Sequence, residues 1–82
     1  METVTIDRKH NLAYVMYLPQ PAERTIRLSP TINVDLSISS EIVGVEFLNT
    51  STLGGELYFP SDLDHGLLEF VIAAQKLVIS QL

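Results

Sequence analysis

Asp35 and Glu46 are the two residues of this 82-residue chain whose types and spacing best suit joint chemistry. Each lies in a short apolar run of β character, so a sheet would set them on neighbouring strands. Two carboxylates so placed can share general acid–base work or hold a hard cation. Calcium takes about six to eight oxygen ligands, and two side chains supply too few. The plainer reading is a pair of solvent-face acids opposite a helix, or an acid paired with Arg24 or Arg27. His65 with Asp62 and Asp64 is the other cluster able to bind metal or relay protons. Three residues within one helical turn point in different directions, so the acids read better as helix-capping groups. No serine sits in a nucleophile elbow. Leu53-Gly54-Gly55-Glu56 lacks the lysine and spacing of a phosphate loop. Tyr14, Tyr17 and Tyr58 could stack bases, but without basic neighbours they read as core or interface residues. No catalytic residue, metal site or cofactor is expected.

These residues need a scaffold, and the hydropathy pattern supplies one. Residues 3–7 alternate polar and apolar, as a half-buried strand does. Residues 8–11 are a polar turn in which Asn11 can take the left-handed conformation. Residues 12–18 form a second strand, apolar on both faces and hence central, ended by Pro19 and Pro21. Residues 24–28 form a short strand with the alternation of an edge or near-edge position. Residues 31–36 carry Ile32, Val34 and Leu36 on one side, and a polar hairpin loop follows. Residues 42–48 are a nearly continuous apolar strand, in which Gly44 predicts a bulge or a close backbone approach. Turn residues fill 49–55, and 57–59 make a small apolar plug.

Ser61 is a natural N-cap, and a helix is predicted from Asp62 to about Gln81. One stripe, Leu63, Leu67, Phe70, Val71, Ala74, Leu77 and Val78, suits a sheet. A second, Leu68, Ile72, Ile79 and Leu82, asks for another surface. A sheet curling around the helix would bury both stripes. A chain this short has little cover to spare, so the second stripe is expected at a homo-oligomer interface, helix against helix. The fold class is α+β: about five mostly antiparallel strands in a meander, with one C-terminal helix packed on the sheet. A single domain spans 1–82, with the meander at 1–53, a loop at 54–60 and the helix at 61–82.

Charge bounds the partners. Residues 1–28 carry four cations against three acids, net +1; residues 29–82 carry seven acids against Lys76, net −6; together they give −5. An acidic chain without a basic stripe is a poor nucleic-acid binder. Arg8-Lys9-His10 is too short to change that and reads as a solvated turn. No cysteine is present, so there is neither a disulfide nor a thiolate site. No signal peptide or membrane span is apparent, and a cytoplasmic location is expected. Asn49-Thr50-Ser51 is a glycosylation sequon only in a secreted protein.

The segment Asp7-Arg8-Lys9-His10-Asn11-Leu12-Ala13-Tyr14-Val15, then Asn33-Val34-Asp35-Leu36, then Ile42-Val43-Gly44-Val45-Glu46-Phe47-Leu48-Asn49-Thr50-Ser51 resembles the domain of unknown function family 2283. The likeness covers about residues 3–53, and its most specific part is the Gly-aliphatic-Glu run. Ser37, Ile38, Ser39 and Ser40 stand where that family's hairpin carries Asp and Gly, and Asn11 stands for its usual Asp. The resemblance implies a small bacterial or phage β-rich domain near small, sometimes toxin-like, partner proteins. It brings no catalytic residues.

The reading that follows is a small non-enzymatic protein-binding or regulatory module acting as a homodimer. In its specific form it is antitoxin-like or an anti-defence inhibitor, with Asp35, Glu46 and Glu56 masking a basic site on a partner. The alternatives are a carboxylate-dependent enzyme at a dimer cleft and a purely structural assembly subunit.

Overall fold

A computed structural model describes residues 2–53 and 65–82. Five strands precede one helix: β1 (Thr3–Asp7), β2 (Leu12–Met16), β3 (Arg24–Ser29), β4 (Ile32–Leu36), β5 (Ile42–Phe47) and α1 (His65–Gln81), with a single 3-10 turn at Thr50–Thr52. The strands form one antiparallel sheet in the order β1-β2-β5-β4-β3. The fold is α+β, as the hydropathy pattern predicts. The proposed loop at 54–60, the cap Ser61, Asp62, Leu63, Asp64 and Glu56 all lie outside the described residues.

The strand order arises from two hairpin runs. β1 and β2 make one, β3 to β5 make the other, and β5 pairs with β2 to join them. The connection over residues 17–23 therefore carries the chain from the interior of the sheet to its far edge. It leaves β2 early: the amides of Tyr17 and Leu18 both donate to the carbonyl of Val43, at 2.7 and 3.2 Å. Strand β2 thus stops at Met16, two residues short of the expected end.

β1 and β3 are the edges, and their side chains show it. Arg24, Thr25, Ile26 and Arg27 of β3 are exposed, and only Leu28 tucks under, beside a register shift between Arg27 and Ser29. Arginines on an edge discourage pairing with a stray strand. The inner rows come from period-two alternation: Ala13 and Val15, Ile32, Val34 and Leu36, and Val45 and Phe47 are buried together. Each large aliphatic or aromatic side chain so buried contributes about 1.5–3 kcal/mol.

Helix α1 closes this core with Val71, Ala74 and Val78, all fully buried, and lies on β2 and β1. Leu67 and Leu77 pack at its margins. Phe70, grouped by spacing with the sheet-facing stripe, instead stays 42% exposed. The far end of α1 has no basic residue of its own in the last turn. Arg8, from the β1–β2 turn, fills that role by donating to the Gln81 carbonyl at 2.9 Å, a cation at the negative end of the helix dipole.

Two of the three hairpin turns use left-handed residues. Asn11 has φ 55°, as its type suggests, and Ser40 has φ 64°. The β4–β5 turn forms without glycine because Ser37 organises it. Its amide donates to the Glu41 carbonyl at 2.9 Å, and its hydroxyl accepts from the Glu41 amide at 3.2 Å.

Candidate interaction site

Asp35 and Glu46 stand on adjacent strands, β4 and β5, on the sheet face away from α1. Thr25 lies opposite Asp35, and Glu46 lies between Asn33 and Tyr14. Asp35 also lies opposite Gly44, and there the sheet has a hole where a side chain would be. Tyr14 fills it. Its ring crosses β5 over Gly44, and its hydroxyl donates to Asp35 Oδ2 at 2.8 Å on the next strand but one. A Cβ at position 44 would meet Tyr14 Cε1 at 2.7 Å and its Cζ and hydroxyl closer still. What approaches the glycine closely is therefore a side chain, not the backbone that the sequence led one to expect. The predicted bulge is present too: Asp35 pairs with Gly44 but Leu36 with Ile42, which leaves Val43 out of the β4 ladder.

The other Asp35 oxygen accepts from Thr25 Oγ1 at 2.6 Å, and Glu46 Oε1 accepts from Asn33 Nδ2 at 3.1 Å. These acids are thus knitted into a ladder that runs from β3 to β2. Neither expected arginine joins it: Arg24 donates to Ser40 Oγ at 3.0 Å and Arg27 to the Pro30 carbonyl at 3.4 Å. Burial, the hydrogen bond to Asp35 and the charges of Asp35 and Glu46 all push the Tyr14 hydroxyl above its ordinary range. Tyr14 is thereby held as a neutral donor. The depression beside Glu46, about 190 Å³, is shallow, and Asp35 does not line it. No group of three or more acids and histidines among the described residues is arranged to hold a metal ion.

His10 and Asp7 form an exposed pair at 2.8 Å in the first turn, and His10 draws Asp7 below its usual carboxylate range. Arg8, Lys9 and His10 are solvent-exposed, as expected.

Helix α1 is different. Beyond the buried stripe it carries apolar side chains on both flanks. On one, Ile72 and Ile79 are 39 and 42% exposed, Leu82, the residue after the helix, is 50% exposed, and Leu68 is half-buried at the near end. This is the second stripe read from the sequence. On the other flank, Phe70 meets Tyr17 edge to face, with ring centroids 5.2 Å apart at 89°. This pair divides two open grooves. One, about 570 Å³, is lined by Ala73, Leu77 and the stem of Lys76, with Glu2 and Glu69 at its rim. The other, about 530 Å³, runs past Leu18 and Ile42 to Ser40 and Glu41. Glu2, Glu41 and Glu69 are all exposed. Burial, with Glu2 beside it, raises the Tyr17 hydroxyl's pKa.

Ile38, at the tip of the serine-braced hairpin, is 84% exposed. The sequence marks neither it nor the Tyr17–Phe70 pair as functional. An isoleucine in a run of serines was the available signal for the first. The second joins residues 53 apart and has no local signature. Glu56, the third acid expected on a partner surface, lies outside the described residues. No helix among them is long and apolar enough to cross a membrane. No protein-family model, curated protein or solved structure matches this chain.

Proposed function

We propose that this protein is a small non-enzymatic binding module that works as a homodimer and engages a basic partner protein. The observation that carries this reading is the apolar surface left on α1, where Phe70, Ile72, Ile79 and Leu82 remain between 39 and 50% exposed. Exposed apolar surface of this kind in a small domain marks a place where another surface belongs. The Ile72–Ile79 flank takes a second copy. The Tyr17–Phe70 grooves take the partner: aromatic and aliphatic walls suit an apolar anchor, and Glu2, Glu41 and Glu69 suit lysines or arginines around it.

Asp35 and Glu46 extend the acidic character of the molecule on the sheet's outer face, and the net charge of −5 draws basic partners from a distance. An antitoxin-like or anti-defence inhibitor that masks a basic site is the specific form of this proposal. An open, charged-rimmed groove favours binding over a purely structural role. The carboxylate enzyme draws no support from acids whose oxygens accept hydrogen bonds within the sheet.

The test is to mix the purified protein with basic proteins encoded beside its gene and follow complex formation by size exclusion. A complex that forms at low salt, weakens as salt rises and is lost with Glu69→Lys supports the proposal. No complex at low salt would overturn it.

A further inference from the structure

The exposed flank of α1 has a finer pattern than a stripe. Leu68, Ile72, Gln75, Ile79 and Leu82 follow one another at steps of four, three, four and three residues. That is the spacing of a coiled-coil seam, distinct from the sheet-facing set Val71, Ala74 and Val78. Over two heptads a straight helix drifts only about 40° from such a seam, so little supercoiling is needed. The pattern is also symmetric about Gln75: Leu68 and Leu82 lie seven residues to either side, and Ile72 and Ile79 lie three and four.

We infer that a second copy of this chain docks here with its α1 antiparallel to the first, about a two-fold axis through Gln75. The inference rests on the homodimer reading above and gives it a geometry. Leucine then meets leucine, isoleucine meets isoleucine, and the two Gln75 side chains face each other.

Three observations select this occupant and this direction. Gln75 Oε1 is buried and has no hydrogen-bond partner among the described residues, a state that costs about 1–3 kcal/mol. The terminal torsion of glutamine is broad, so this amide can turn to its counterpart across the axis and pair donor to acceptor. A polar side chain at such a position fixes register. The aliphatic members of the seam also grow barer along it, from half-buried Leu68 to Leu82 at 50%. Antiparallel pairing lays the barest end of one helix on the most covered end of the other, and it opposes the two helix dipoles.

The chain has no cysteine, so single cysteines report the geometry cleanly. Ile72→Cys, Ile79→Cys and Gln75→Cys are oxidised mildly, alone and mixed, and their masses are followed by light scattering and non-reducing gels. Antiparallel docking brings positions 72 and 79 of opposite copies side by side. It separates position 72 from its own mate by roughly 9 Å along the axis, at 1.5 Å per residue, beyond the reach of an unstrained disulfide. Rapid cross-linking of the 72/79 mixture and of Gln75→Cys alone, with about tenfold less from Ile72→Cys alone, supports the inference. Equal cross-linking of Ile72→Cys alone means parallel helices and overturns it. A dimer by mass that no pair cross-links overturns it and leaves the homodimer reading standing. A single-chain mass overturns both.

Discussion

The outer face of the sheet and the outer flank of α1 both carry side chains that the described residues leave partly exposed, and they are finished in opposite ways. On the sheet, Thr25, Asp35, Tyr14, Asn33 and Glu46 answer one another across four strands, and Tyr14 closes the gap at Gly44. On the helix, Ile72, Ile79 and Leu82 stay between 39 and 50% exposed, and the buried Gln75 oxygen has no hydrogen-bond partner among the described residues. The sheet face holds the residues whose types suggest chemistry, yet both acids already accept hydrogen bonds within the molecule. The helix flank holds plain aliphatics, yet its bonding and burial are incomplete. Function is better sought where the fold leaves work undone than where suggestive residue types gather.

The contrast can be attacked from the sheet first, where the effects are largest. Gly44→Ala forces Tyr14 off β5 and should destabilise by about 1–3 kcal/mol, as overpacking does. In a Tyr14→Ala background the same change should cost little. Urea unfolding of the four proteins gives the coupling, expected at 1 kcal/mol or more. A coupling near zero would mean that Tyr14 does not lie over the glycine.

Tyr14→Phe keeps the ring and removes one donor from Asp35, and should cost about 1 kcal/mol. The same substitution sharpens a pH prediction. The folded Tyr14 pKa is raised above its unfolded value of about 10. Its contribution to stability is therefore complete below about pH 10 and is lost as pH rises from there through the folded value. Wild type should lose more stability than Tyr14→Phe between pH 10 and 12, measured by denaturation at each pH.

On the helix flank the expected cost to the fold is smallest. Ile72→Asn should change the stability of the dilute single chain by no more than about 0.5 kcal/mol, because it uncovers no core surface. A loss of several kcal/mol would show that the flank supports the fold, and the contrast would break.

Much of this was readable beforehand because it is local. Alternating and continuous apolar runs placed all five strands within two residues, Asn11 announced its turn, and Gly44 announced the bulge, though not the side chain laid over it. The exposed stripe on α1 followed from helical spacing alone. What could not be read is long-range. The joining of β2 to β5 depends on a connection that crosses the sheet, and no short pattern encodes it. Tyr14 reaching Asp35 depends in turn on that strand order. Phe70 belongs by spacing to the buried stripe, and only the position of Tyr17 shows why it leaves. Ser40 forms a left-handed turn residue where glycine would be the usual choice, because Ser37 supplies the hydrogen bonds that hold the loop.

The most direct test of the account is the solution mass, by light scattering after size exclusion, of wild type, Ile72→Glu and Tyr14→Phe. Wild type and Tyr14→Phe should run at twice the 9.1 kDa of one chain, and Ile72→Glu at the single-chain mass with its fold intact by circular dichroism. A wild-type monomer, or an Ile72→Glu protein that stays dimeric, would contradict it.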